Sequence, residues 1–315
     1  MKNLLLLVLL SSLAQAAELT PERFGDFYSQ LRNSSKIADT AKTLISQRHY
    51  VFIAGFLNET LPGYFSDNVE GLKELGVPES NIHIIYPCSA ASLSDNVRVL
   101  NEELVEIATN AKSPLILVAH SKGALVALRH AIENPVFVTA HVHSLFLLQG
   151  ALGGSYVADF LRGQGKALDS KLPIAASITL KIMKEAEQFV DPIIESSLTS
   201  LTTKAATDEL KDLYQRHPKA LPVVDKKLYY ITGEETPDKT AKVLQATSYY
   251  LHMYYGANDG LVLAAHQSIP NFGTVLAHFT HADHADLTSP FPISNEYNMR
   301  RRALAKAIAL SASLK

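Results

Sequence analysis

Cysteine is almost absent from this chain: Cys88 is the only one in 315 residues. A single thiol forms no internal bridge, so a disulfide scaffold is excluded, and Cys88 reads as a small buried residue. An excess of one charge is also missing. Lys and Arg number 29 against 31 Asp and Glu, a net charge of −2, so nucleic acid has no electrostatic support as a partner. No CxxC, HExxH or phosphate-loop pattern occurs, and there is no internal repeat or low-complexity linker. Beyond the first residues no apolar run is long enough to span a bilayer. What remains is a chain 47% hydrophobic, enough for the core of one enzyme-sized domain.

The N-terminus has its own pattern. Lys2 precedes Leu4-Leu5-Leu6-Leu7-Val8-Leu9-Leu10, and Ala14-Gln15-Ala16 supplies small residues at cleavage spacing. This predicts a signal peptide over 1–16, a mature domain over 17–315, and a secreted or periplasmic location. No cysteine follows the cleavage site, which argues against a lipid anchor.

The rest alternates apolar runs with helical periodicity. Strands are predicted at Val51–Ala54, Asn81–Tyr86, Leu115–Ala119, Ser144–Leu148, Leu228–Ile231 and Tyr249–Tyr255. The first four are short and mostly apolar, as when helices cover both faces of a parallel sheet. Val97, Leu100, Leu104, Ile107 and Ala108 share a helical face between 95 and 111, and a second helix spans 122–133 before Pro135. The fold class is a mostly parallel, doubly wound α/β sheet. From about 156 to 225 no strand-like run occurs. There Ile178, Ile182, Ala186 and Phe189 share one helical face, and Leu210, Leu213 and Tyr214 another. This is an inserted helical cap, either a lid over the site or an ordinary packing layer.

Chemistry concentrates where Leu115-Ile116-Leu117-Val118-Ala119-His120 meets Ser121-Lys122-Gly123. Ala119-x-Ser121-x-Gly123 fits a nucleophile elbow, relaxed by one methyl where the stricter pattern has Gly; the plain alternative is a serine that caps a helix. Asn258-Asp259-Gly260 and His281-Ala282-Asp283-His284 follow in the order Ser, acid, His. A neutral serine is a weak nucleophile, so a histidine must take its proton and a carboxylate must orient that histidine. Ser121, Asp259 and His284 are the candidate triad, with His281 the competing base; singly, Asp259 could be a turn residue and His284 a solvated loop residue. Backbone N–H groups of Phe56, after the run His49–Gly55, and of Lys122 are the candidate oxyanion hole. Such chemistry requires no cofactor.

With these motifs the chain resembles the secreted triacylglycerol lipases of the Pseudomonas and Burkholderia type, members of the α/β-hydrolase superfamily, from about His49 to the end. Gly154-Ser155-Tyr156-Val157-Ala158-Asp159-Phe160, Leu198–Thr203, Tyr229–Gly233, Asn258–Val262 and His284-x-Asp286 are similar to segments of that family. It departs at Ala54-Gly55, where the family has His-Gly, and at Ala151-Leu152-Gly153-Gly154, where it has Pro-His-x-Gly; the disulfide common there cannot form here. The resemblance implies the fold, ester hydrolysis and a structural calcium held by Asp286 and, by spacing, Asp238. The alternative for those two is a pair of solvated loop aspartates.

The expected activity is hydrolysis of carboxylic esters, lipid-like or acyl, through an acyl-enzyme on Ser121. An acyltransferase or peptidase would use the same trio, and a non-catalytic binding protein could share the fold. The expected partner is an ester or lipid substrate, with the cap touching lipid surfaces.

Overall fold

In the computed structural model, which describes residues 19–56, 58–187, 192–289 and 294–313, six strands form one parallel sheet. They are β1 (His49–Ile53), β2 (Ile82–Ile85), β3 (Leu115–His120), β4 (Val142–Leu148), β5 (Leu228–Gly233) and β6 (Thr274–Phe279), in the order β2-β1-β3-β4-β5-β6. α1 (Pro21–Arg32) and α2 (Asp39–Ser46) precede β1, α3 (Ser66–Glu74) links β1 to β2, and α4 (Leu93–Asn110) links β2 to β3. α5 (Lys122–Glu133) and α6 (Pro135–His141) lead to β4. Between β4 and β5 lie only helices: α7 (Tyr156–Leu161), α8 (Ile174–Glu187), α9 (Pro192–Ser200), α10 (Thr203–Arg216) and α11 (Leu221–Asp225). α12 (Lys242–Tyr254) separates β5 from β6, and α13 (Asn295–Ser313) follows β6. The predicted signal segment lies outside the described residues, as do the Ala186 and Phe189 side chains.

Alternation along the strands builds two cores. Tyr50, Phe52, Ile116, Val118, Phe146 and Leu148 face α1, α3 and α13. Val51, Ile53, Leu117, Ala119, Leu145 and Leu147 face α4, α5 and α10. Successive strand residues point to opposite faces, so uniformly apolar strands need helices on both sides. Strand order reverses between β1 and β3. At such a switch point the loops at the carboxyl ends of the strands diverge and leave a crevice. The turn after β1 and Ser121 after β3 both open there.

Two expectations change, the strand at Tyr249–Tyr255 and the burial of Cys88. Tyr249–Tyr255 is not a strand but the end of α12. Its aromatics favour a strand locally, yet Ala246, Tyr250 and Tyr254 recur every four residues, and the helix packs Tyr250 on Phe160 with ring centroids 4.9 Å apart. The sixth strand is Thr274–Phe279, an edge strand in which only Leu276 is buried, so its pattern is weak. Ile178 and Ile182 do share a helical face; with Ile174 they form an exposed stripe on α8, while Ala176 and Leu180 pack inward. Cys88 is exposed in the loop before α4. The other cap face behaves as expected: Leu213 is buried, and Leu210 and Tyr214 pack beside it.

Candidate active site

Ser121 stands between β3 and α5 with φ 56° and ψ −126°. A side-chain-bearing residue in that region costs on the order of 1–3 kcal/mol and persists only where its surroundings enforce it. Here Ser121 N–H donates to Leu148 O at 3.2 Å, and Ser121 O accepts from Ala124 and Ala151 at 3.1 and 3.2 Å. Gly123 is required by the first turn of α5 passing the end of β1: a Cβ there would lie 2.3 Å from Ala54 O and 2.7 Å from Ile53 O. The elbow therefore depends on close approach to β1 as well as on the β3–α5 turn.

The sequence trio converges. His284 Nε2 lies 2.8 Å from Ser121 Oγ, and His284 Nδ1 lies 2.7 Å from Asp259 Oδ2. This fits the tautomer in which Nδ1–H donates to the carboxylate and Nε2 accepts the serine proton. Asp259 is fully buried yet well supplied with donors. Leu261 N–H and Val262 N–H donate to its Oδ1 at 3.0 and 2.8 Å, and Gln267 Nε2 donates to Oδ2 at 3.0 Å. Asp259 arrives from a loop after α12, not from a strand end, and its backbone O accepts His284 N–H at 2.7 Å. His281 is turned away: it is 65% exposed and its Nδ1 lies 3.6 Å from Glu235 Oε1.

The turn that carries the candidate oxyanion donor touches Ser121. A Cβ on Gly55 would sit 2.7 Å from Ser121 Cβ, so only glycine lets the two backbones meet. Phe56 follows in that turn. Lys122 is the first residue of α5, where backbone N–H groups lack an acceptor within the helix. The Lys122 side chain, which the sequence left without a role, is buried. Its Nζ donates to Ser197 Oγ in α9 at 2.5 Å and to Ala91 O at 3.3 Å, and it lies 5.9 Å from the Phe56 ring centroid. Burial lowers its pKa to about 8.

Other residues went unnoticed in the sequence. Gln267 bridges Asp259 to Gly233, accepting Gly233 N–H at 2.7 Å and donating to Gly233 O at 2.8 Å. Gln149 Nε2 donates to Asp283 O at 2.9 Å and steadies the His284 loop. Neither glutamine has a distinctive spacing. His120 precedes Ser121 and its ring lies 4.8 Å from that of His284. Two segments of the family-like pattern, distant in sequence, also meet. Asp159 accepts from Thr203 N–H at 2.9 Å and from the Thr203 hydroxyl at 2.6 Å, tying α7 to α10.

Ser121 and His284 border a mostly apolar cavity of about 770 Å³ whose walls include Phe56, Leu61, Val243 and Leu261. A cavity of about 920 Å³ at the opposite end of the sheet, near Ser46, Asn81 and Ser113, holds none of the trio.

The two calcium candidates are engaged separately. Asp238 is exposed and accepts the Tyr249 hydroxyl. Asp286 is buried; its Oδ2 accepts Asp283 N–H at 2.9 Å and lies 3.6 Å from Arg300 Nη1. Burial, and next the adjacent Asp283 carboxyl, raise its pKa, and its Oδ1 has no hydrogen-bond partner among the described residues. Calcium takes six to eight oxygens. Among the described residues no group of three or more His, Cys, Asp or Glu converges to hold a metal. Arg300 places a positive charge 3.6 Å from Asp286 Oδ2, at the position where the resemblance implies the ion.

No family model and no curated protein matches the sequence, so the likeness to the Pseudomonas and Burkholderia lipases rests on motifs alone. Solved structures do match. A metagenomic carboxyl esterase superposes with a TM-score of 0.62 over 85% of this chain and 76% of its own, at 21% identity. A lipase from Bacillus licheniformis, in mature form, gives 0.56 over 76% of this chain and 85% of its own, also at 21% identity. With the sheet order and the crossover helices, these similarities show that the chain has the α/β-hydrolase fold.

Proposed function

We propose that this protein is a serine hydrolase of carboxylic esters with acyl or lipid-like substrates, acting through an acyl-enzyme on Ser121. The observation that carries the reading is the chain Ser121–His284–Asp259, with contacts of 2.8 and 2.7 Å, on a serine held at φ 56°. His284 Nε2 takes the Ser121 proton as Oγ attacks the ester carbonyl. Asp259, fixed by four donors, stabilises the imidazolium that forms. The carbonyl oxygen becomes an oxyanion and accepts from Phe56 N–H and Lys122 N–H. When the C–O bond breaks, His284 returns its proton to the leaving alcohol. Water then repeats the sequence on the acyl-enzyme and releases the acid.

An apolar cavity beside Ser121 suits an acyl chain. The exposed stripe Ile174, Ile178 and Ile182 on the cap suits contact with a lipid surface. The carboxyl esterase and lipase neighbours fit the same chemistry. The signal-like segment over 1–16 supports export to the periplasm or beyond. Among the described residues no helix is long and apolar enough to cross a membrane.

The test is fluorophosphonate labelling followed by peptide mapping, together with p-nitrophenyl esters of rising acyl length. Label on Ser121 is expected, with no hydrolysis by Ser121→Ala. Label on another serine, or none in active protein, overturns the assignment.

A further inference from the structure

One buried network remains without a role in the proposed reaction. Tyr64, between β1 and α3, and His120, the last residue of β3, are 4% and 2% exposed. The Tyr64 hydroxyl accepts Gly55 N–H at 3.2 Å and lies 2.5 Å from His120 Nδ1. A phenol has one proton to give. With Gly55 donating to the oxygen, that proton can go to Nδ1 at 2.5 Å or to the Thr288 side chain beside it; the Nδ1 choice leaves the proton of neutral His120 on Nε2, next to the His284 backbone and the Gln149 side chain. Burial, and after it the neighbouring His284, push the His120 pKa well below the ordinary value, in the same direction.

Each end of the network meets the candidate machinery. Gly55 is the residue before the Phe56 oxyanion donor. Its N–H is held by Tyr64, and its carbonyl accepts Asn58 Nδ2 at 2.8 Å. Both sides of that turn are therefore fixed. At the other end the His120 ring leans on the His284 ring at 4.8 Å, tilted by 45°. His284 becomes positively charged in the proposed reaction. A second imidazolium at that distance would oppose this, whereas a neutral ring does not.

We propose that Tyr64 and His120 act as a positioning pair, joining the oxyanion turn to the base: one phenolic hydroxyl aligns Gly55–Phe56 and holds His120 in the neutral tautomer against His284. Neither residue exchanges a proton with substrate. The inference rests on the ester-hydrolase reading. That reading is judged first by wild-type hydrolysis and labelling of Ser121, so the two fail separately.

Tyr64→Phe keeps the ring packed against Phe65 and removes only the hydroxyl. Its kcat on a p-nitrophenyl ester is expected to fall about tenfold with KM within about twofold, because the lost alignment matters only as charge develops. The fluorophosphonate inactivation rate should fall in step. His120→Asn should lose a similar factor, and the double variant no more than the worse single one, as for residues acting as a unit. Melting temperatures separate these losses from unfolding. If a variant does not fold, nitrogen NMR of the wild type still decides: His120 Nδ1 must be unprotonated across neutral pH. Wild-type kcat in folded Tyr64→Phe, a change confined to KM, additive losses, or a protonated Nδ1 would each overturn the pairing.

Discussion

Gln267 donates from Nε2 to Asp259 Oδ2, the same oxygen that accepts from His284 Nδ1, at 3.0 and 2.7 Å respectively. One carboxylate oxygen is thus fixed from two directions, and both amide atoms of Gln267 are anchored to Gly233 at the end of β5. The carboxylate cannot rotate away without breaking a buried bond. Gln267→Met fills similar space but removes every one of these contacts. We expect kcat to fall roughly 10- to 100-fold with KM little changed, as an orienting carboxylate loses its support. The Gly233 N–H and O groups left unpaired should also cost about 1–3 kcal/mol of stability. Steady-state kinetics with denaturant titration measures both, and a variant that keeps full kcat while losing stability would make Gln267 purely structural.

Two variants at Ser121 separate strain from chemistry. Ser121→Ala and Ser121→Gly should both be inactive. The backbone at φ 56° penalises alanine but suits glycine, with about 1–3 kcal/mol of strain to relieve against roughly 0.5–1 kcal/mol lost to glycine's freedom in the unfolded chain. Ser121→Gly should therefore be more stable than Ser121→Ala by about 1 kcal/mol in urea unfolding. Equal stabilities would mean that the elbow is relaxed.

His284→Ala should lose nearly all hydrolysis, whereas His281→Ala should stay within a few-fold of the wild type. The reason is geometric: His284 reaches Ser121, while His281 is 65% exposed and faces Glu235. The reverse ranking in kcat/KM would transfer the base to His281.

The motif residues were legible because the chemistry needs particular residue types at a turn. Ser121, Asp259 and His284 could be read from Ala119-x-Ser121-x-Gly123, the Gly-flanked Asp259 and the loop after it. Five strands were legible as short apolar runs. Thr274–Phe279 was not, because an edge strand buries little, and Tyr249–Tyr255 misled because tertiary packing on Phe160 outweighed aromatic strand preference. Gln267, Gln149, Tyr64 and the Lys122 side chain escaped for another reason. Each acts through a contact that exists only once distant segments are folded together. The Ile174–Ile178–Ile182 stripe has core-like periodicity and becomes meaningful only by being exposed.

The Lys122 side chain should carry a signature in the pH dependence of stability. Its pKa falls from 10.5 to about 8 because burial disfavours the charged form. Between those values the unfolded chain holds a proton that the folded chain has lost. Its contribution to stability therefore rises with pH from about 8 to 10.5, and below 8 the full penalty, roughly 3–4 kcal/mol, is present. Lys122→Met removes the penalty and keeps the backbone N–H, but it also loses the bond to Ser197. The stability of Lys122→Met relative to wild type should thus be greatest near pH 7 and decline toward pH 10 in guanidinium unfolding. Hydrolysis of a short ester should persist within a few-fold, since the proposed oxyanion donor at this position is the main-chain N–H. A pH-independent stability difference would remove the linkage.

Calcium gives the last expectation. An ion that tied down the His284 loop would stabilise the folded state by mass action, and chelation would lower both melting temperature and rate. The contacts of Asp286 argue for a different arrangement. Arg300 Nη1 lies 3.6 Å from its Oδ2, Asp283 N–H donates to the same oxygen, and Asp238 is occupied with Tyr249 at the surface. Loop order then comes from Asp286 capping the Asp283 backbone, with Arg300 also donating to His281 O. EDTA is expected to leave melting temperature and kcat unchanged. Asp286→Asn, which keeps an oxygen for Asp283 N–H, should retain most activity; Asp286→Ala should loosen the loop and lower kcat whether or not calcium is added. A melting temperature that falls with EDTA and recovers with calcium in the wild type, but not in Asp286→Ala, would restore the metal and displace Arg300 from this role.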